Sequence, residues 1–263
     1  MKKFAILILT ILFAQLSFAQ TMVVHKKDAT TTNFELSQID SITFSVQQPI
    51  PTDSLVAYYP FNGNANDESG GGYDGTIYGA SLTADRFGKS NSAYNFNGTS
   101  DYIDLTNTNS LNFETGGFTL TAWVKFTANN FDEGIVGKHV CGVEAGYFLG
   151  VGSFSGADTN SFQFYLNNSR IVTPEKYNDG NWHLVVGVYD GTNYTVYVDG
   201  VNKISQAIVY NSFTAINISI GRAGTNCVYT YDTLFQGVID DVRIYSRPLS
   251  DSEIQQLYHE GGW

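Results

Sequence analysis

Residues 181–203, NWHLVVGVYDGTNYTVYVDGVNK, admit few folds. Trp182, Leu184, Val186 and Val188 recur at a period of two, and His183, Val185, Gly187 and Tyr189 fill the alternate positions, as in a β-strand with both faces in use. Asp190-Gly191-Thr192-Asn193 is a reversal made of residues that tolerate turn geometry. Tyr194, Val196 and Val198 then resume the alternation, and Asp199-Gly200 supplies the dipeptide that most favours a two-residue hairpin turn. The stretch therefore holds two strands and the start of a third. Because both faces carry apolar or aromatic groups, it belongs inside a sheet that is covered on one side and partly lined on the other.

The rest of the chain follows the same pattern. Runs rich in Tyr, Phe, Val and Ile at residues 55–61, 76–79, 93–97, 102–105, 118–126, 135–137, 147–151, 162–166, 171–173, 182–189, 194–199, 216–220 and 234–245 read as short strands. Phe118, Leu120, Ala122 and Val124 share one face, and Trp123 and Trp182 are expected to be largely buried. The helical signal is confined to the end, where Ser250-Asp251-Ser252-Glu253 forms a capping box ahead of Ile254, Leu257 and Tyr258. The expected fold is all-β, a two-sheet antiparallel jelly-roll sandwich with one short C-terminal helix.

Domain organisation follows from composition. Residues 1–19 combine Lys2 and Lys3, an apolar run and Ser17-Phe18-Ala19, the pattern of a cleaved signal peptide, so the chain is expected to be exported, either secreted or at the cell surface. Loss of the two lysines takes the formal net charge from −11 to −13. An acidic chain is poorly suited to nucleic acid or anionic membrane, which reward basic patches, and no later stretch is long and apolar enough to span a bilayer. Residues 20–47 read as a small N-terminal β extension and residues 48–54 as a stiff proline-bearing linker. Residues 55–263 form one domain of ordinary sandwich size.

Three pieces of the domain resemble the laminin G-like (LamG) jelly-roll domains of the concanavalin A-like lectin/glucanase superfamily. They are YYPFNGNANDESGGGYDGTIYGA with the following FNGTSDYIDL, the hairpin with its YDG and YVDG turns, and FQGVIDDVRIYSRPLSDSEI. Folds of this kind host lectins, adhesion modules and glycosidases, so the resemblance implies the fold more strongly than the activity. It also implies one calcium ion between the oxygen-rich loop of Asn62, Asn64 and Asp67 and the strand residue Asp240. The loop's chemistry suits a hard cation that takes six to eight oxygens. The alternative is that these are turn residues and that Arg243 or Arg222 neutralises Asp240.

Cys141 and Cys227 are the only cysteines; an even count in an exported chain favours a disulfide, against two free thiols. Closing so long a loop would stabilise the fold by about 4–5 kcal/mol in the chain-entropy account. Laminarinase-type members of the superfamily carry alternating acids, Glu-x-Asp-x-Glu, flanking one glycosidic bond. Here Asp132-Glu133 and Asp240-Asp241 are consecutive, which would point them to opposite faces of a strand, and His183 has no visible nucleophile beside it. A non-catalytic, lectin-like carbohydrate-binding module is the expected function, with an adhesive protein-interaction module as the alternative and a glycoside hydrolase third. The partner is then a glycan or a cell-surface protein. Candidate ligand contacts near the two cysteines are Glu144, Tyr147, Arg222, Asn226, Tyr229 and Tyr231, which could equally close the sandwich edge.

Overall fold

The computed structural model describes residues 21–25, 30–35, 49–106, 108, 111–113, 116–127, 133–139, 146–152, 160–167, 169–210, 217–223 and 234–263. The chain divides into two compact units, Met1–Gln47 and Gln48–Trp263. In the first, strands β1 (Thr21–His25) and β2 (Thr31–Glu35) pair antiparallel, with Thr21 opposite Glu35.

The second unit is a sandwich. One sheet has seven strands in the order β12 (Ser169–Val172), β11 (Phe162–Leu166), β10 (Gly146–Val151), β9 (Glu133–His139), β16 (Ser219–Ile220), β7 (Tyr102–Leu105) and β4 (Gly75–Tyr78). The other has eight, running β15 (Val201–Ala207), β14 (Asn193–Val198), β13 (His183–Tyr189), β8 (Phe118–Lys125), β17 (Gln236–Tyr245), β6 (Ala93–Asn97) and β5 (Ser81–Thr83), with β3 (Leu55–Tyr59) also paired to β17. The pairings between these strands are antiparallel. Non-consecutive neighbours such as β8 and β17, or β9 and β16, give the crossing connections of a jelly roll.

Alternation decides what each strand buries. Phe118, Leu120, Ala122 and Val124 of β8 turn inward and join Leu149, Phe164 and Val136 of the facing sheet in the main core. Burying each such side chain contributes roughly 1.5–3 kcal/mol. The opposite face of the eight-stranded sheet is apolar too, and helix α1 (Asp251–Tyr258) accounts for it. Ile254 and Leu257 of α1 seal Trp123, Leu184, Val186, Val188, Tyr197 and Tyr245 into a second core. That is why strand β13 shows no polar face in the sequence. Helix α1 starts where the capping box places it: the Ser250 hydroxyl accepts from the Glu253 amide, and the Glu253 carboxylate accepts from the Ser250 amide.

Several expectations need correction. Trp123 is buried, but Trp182 is only half-buried, because β13 begins at His183 and leaves the indole at the strand's end, with the Lys125 ammonium 5.2 Å from its ring centre. The β14–β15 hairpin turns through Asp199 and Gly200, both at positive φ (51° and 76°), yet β15 runs a full seven residues beyond it. Its polar sequence, VNKISQA, hid it; an edge strand has one flank and little face to bury. Strand β5 was likewise hidden, being only three residues long. Of the expected strand at 216–220, Ser219–Ile220 is present and residue 216 lies outside the described residues.

Candidate functional site

On the outer face of the seven-stranded sheet, alternation in β4 and β7 sends Ile103 and Leu105 into the core and leaves Tyr102 and Asp104 outward. Tyr78 lies directly opposite Tyr102 in the register, and the two rings stack with centres 4.6 Å apart and planes 18° apart. The Arg222 guanidinium stands 3.9 Å over the Tyr102 ring, a cation–π contact of about 0.5–2 kcal/mol. Arg222 is itself fixed: Nη2 donates to Asp104 Oδ1 at 2.6 Å and Nε to the Ser219 hydroxyl at 3.1 Å, while that hydroxyl donates to the same Asp104 oxygen at 2.7 Å. The product is a rigid polar shelf ending in an aromatic plate, Tyr78, which is 45% exposed.

The shelf continues across the sheet as one register row: Thr76, Asp104, Ser219, Gly137, Phe148, Tyr165 and Arg170. Gly137 is required there, since a Cβ would sit 2.4 Å from the Phe148 Cα. Phe148 and Tyr165 stack at 5.1 Å, with His139 edge-on to Tyr165 at 4.8 Å. This far end is closed to solvent, Phe148 being 1% and Tyr165 4% exposed. Burial, and then the charge of Arg170, pull the His139 imidazole down to a pKa of about 4, so it is neutral at physiological pH. The accessible part of the row is the tyrosine end.

Among the residues expected to contact ligand, Arg222 lies on this shelf. Tyr147 does not: it is 1% exposed, packs on Phe113 and Phe118, and its hydroxyl donates to the Leu111 carbonyl at 2.8 Å. The alternation of β10 explains the correction, for Tyr147 and Leu149 point inward and Phe148 outward. Glu144, Asn226, Tyr229 and Tyr231, and both cysteines, Cys141 and Cys227, lie outside the described residues. Tyr78, Tyr102 and Asp104 were missed, although the alternating YIDL already puts Tyr102 and Asp104 on the polar side of their strand.

The residues implied for calcium do not fit one shared ion. Asn62 Oδ1 accepts from the Lys89 ammonium at 3.0 Å, and Asn64 Oδ1 from the Asn66 amide at 2.8 Å. The Asp67 carboxylate accepts from three backbone amides, those of Tyr58, Ser69 and Tyr73. Asp240 meets Arg86, whose Nη1 lies 2.9 Å from Asp240 Oδ2 and 2.6 Å from Asp241 Oδ2. Two of the four proposed donors thus face a cation already, and Asp67 works as a loop brace. Neither Arg243 nor Arg222 is the partner of Asp240: Arg243 serves Asp241 and Glu260, and Arg222 serves Asp104. Within the acid pair, burial and the neighbouring Asp241 charge push Asp240 up to about 7 against the pull of Arg86. For Asp241 burial also acts upward, but Arg243 and Arg86 outweigh it and hold its carboxyl below the usual range.

The two-sheet sandwich can be set beside known proteins. Residues 97–255 match the family profile of the concanavalin A-like lectin/glucanases superfamily, laminin G type 3, and the chain belongs to that family. No curated protein matches the chain. Solved structures share the fold at low identity. The receptor-binding domain of botulinum neurotoxin C/D mosaic serotype is 15% identical with a TM-score of 0.60, over 80% of this chain and 52% of that one. The binding domain of Paraclostridial Mosquitocidal Protein 1 is 17% identical with a TM-score of 0.61, over 79% of this chain and 52% of that one. Domain 4 of an extracellular arabinanase from Geobacillus stearothermophilus, in complex with arabinotriose, is 22% identical with a TM-score of 0.60, over 78% of this chain and 98% of that one. The chain thus spans about half the length of the two toxin chains and nearly all of the arabinanase domain. Among the described residues no helix is long and apolar enough to cross a membrane.

Proposed function

We propose that the unit Gln48–Trp263 is a carbohydrate-binding module of an exported protein, which holds a neutral glycan on the Tyr78–Tyr102–Arg222–Asp104 shelf without cleaving it. The observation that carries the reading is the half-exposed Tyr78 ring stacked on Tyr102, whose other flank carries the fixed Arg222–Asp104 pair. A flat ring takes the C–H face of a sugar, and charged planar groups bind its hydroxyls. Asp104 is paired with Arg222, a geometry for holding a hydroxyl rather than for the two-carboxylate chemistry of glycosidic cleavage. Two of the fold neighbours are described in complex with sugars, arabinotriose and SialylT, which supports a sugar ligand, and the arabinotriose is the uncharged one of the two. Net charge favours neutral chains, because an acidic surface repels polyanions within about 10 Å at 0.1 M salt.

A protein-binding, adhesive role finds support in the edge strand β4, whose Ile77 is 41% exposed beside Tyr78. A glycan array separates the two. Binding to neutral oligosaccharides with no release of reducing sugar supports the module proposed here; a silent array together with strand-like capture of a surface protein supports the other.

A further inference from the structure

A second polar groove lies on the other sheet, beyond the region that α1 covers. Its floor is the outward side of β6, β17 and β8: Val238 stands in register between Asn95 and Lys125, and Gln236 lies opposite Asn97. Together with Thr127 and Gly180 these residues border a cavity of about 440 Å³, within the range of small-molecule pockets. Asn97 is committed to its own turn, where Oδ1 accepts from the Thr99 and Ser100 amides. The side chains of Asn95, Gln236 and Thr127 have no hydrogen-bond partner among the described residues.

Lys125 sets the charge of this groove. Arg86, Arg222, Arg243, Arg247 and Lys203 are all ion-paired. Lys125 has no carboxylate partner among the described residues, and its ammonium is held 5.2 Å over the Trp182 ring. Lys89 and Lys176 also lack a carboxylate partner among the described residues, but Lys125 alone borders this cavity, where its charge is open to an anion. Its companions are primary amides and a hydroxyl, which both donate and accept as sugar hydroxyls do. Among the described residues that line the cavity Lys125 is the one cation and none is an arginine, which matches one negative charge rather than the two of a phosphate monoester.

We propose that this groove is a second saccharide site, selective for a sugar that bears one carboxylate. The acid group would meet Lys125 Nζ, and ring hydroxyls would meet Asn95, Gln236 and Thr127. The site is on the opposite sheet from the tyrosine shelf and does not depend on it, so one chain could hold two glycans of different charge.

Titration calorimetry of the chain with a uronic-acid disaccharide, its carboxyl-reduced neutral counterpart and a sulfated disaccharide tests this. The uronate should bind about tenfold more tightly than the neutral form, and added salt should shrink the difference. Lys125→Met should abolish that preference while the melting temperature stays put, and Tyr78→Ala should leave it intact. Asn95→Ala combined with Gln236→Ala should weaken uronate and neutral forms alike, which keeps the test open if the Lys125 variant folds poorly. Equal binding of uronate and neutral sugar, or a preference that survives Lys125→Met, overturns the site. Tighter binding of the sulfated sugar overturns its assignment to a carboxylate.

Discussion

Arg86 is a buried charge whose loss should cost the fold heavily. Its side chain is 3% exposed, and one guanidinium nitrogen bridges Asp240 and Asp241 while another lies 3.6 Å from Glu260. The same guanidinium packs over Phe87 at 4.5 Å and Trp123 at 4.8 Å, so it ties the 84–92 loop to the last strand. Buried pairs add little stability over apolar replacements, but removing one partner strands the other charge, at about 3–5 kcal/mol. Arg86→Met keeps most of the packing on the two rings and removes only the charge. Asp241 retains Arg243 at 3.3 Å, so the burden falls on Asp240. That carboxyl, already lifted to about 7 by burial and by Asp241, can escape by taking up a proton. The expected loss is therefore about 3–5 kcal/mol at pH 8, roughly 6–20 °C in melting temperature for a unit of this size, and less at pH 5. Adding Asp240→Asn should recover at least half of it. Urea unfolding followed by tryptophan fluorescence reads all three chains at both pH values. A loss under about 1 kcal/mol, or a loss equal at both pH values with no recovery in the double variant, would refute the reasoning.

Two further outcomes follow from the structure. His183 lies between Asp199 Oδ2 at 2.8 Å and Asp179 Oδ1 at 3.2 Å; burial lowers its pKa, but the hydrogen bond and charge of Asp199, then those of Asp179, raise it further than burial lowers it. A raised folded-state pKa means stability that is fully present below about 6.5 and lost as pH climbs through the folded value. His183→Gln should therefore trail the parent in urea midpoint at pH 5.5 and close on it at pH 9; a gap that widens with pH contradicts the pairing. Calcium chelation at millimolar strength should leave the melting temperature within about 1 °C, because a ligand bound only by the folded state would shift it by mass action. A clear drop on chelation would show that Asn62, Asn64, Asp67 and Asp240 rearrange to hold an ion.

The fold was legible because the strands that build it are patterned. Phe118, Leu120, Ala122 and Val124 announce an inward face, and the capping box at Ser250 announces α1. Strand β15 and strand β5 were not legible, since neither buries enough to leave a period-two trace. Charge partners were harder. Asp240 visibly needed a cation, but Arg86 is 154 residues away in sequence and nothing local singles it out from Arg222 or Arg243. The shelf was half legible: Arg222 was singled out, and the alternation YIDL exposes Tyr102 and Asp104, but the Tyr78–Tyr102 stack depends on pairing between β4 and β7 that only the register reveals. Tyr147 shows the reverse: in a strand as evenly apolar as Gly146–Val151 nothing local says which parity faces inward, and Tyr147 turns into the core with Leu149.

The central claim is that Tyr78 is a sugar-stacking plate, and a calorimetric comparison of the parent chain with Tyr78→Ala tests it most directly, using the neutral oligosaccharide bound best on an array. Covering about 50 Å² of the ring contributes about 1.3 kcal/mol, so the variant should bind roughly tenfold more weakly, with a melting temperature lowered by no more than the about 1–6 °C that loss of the Tyr78–Tyr102 stack would cost. The parent should bind and release no reducing sugar. An array on which no neutral glycan binds, or a Tyr78→Ala chain that binds as well as its parent, would contradict the account.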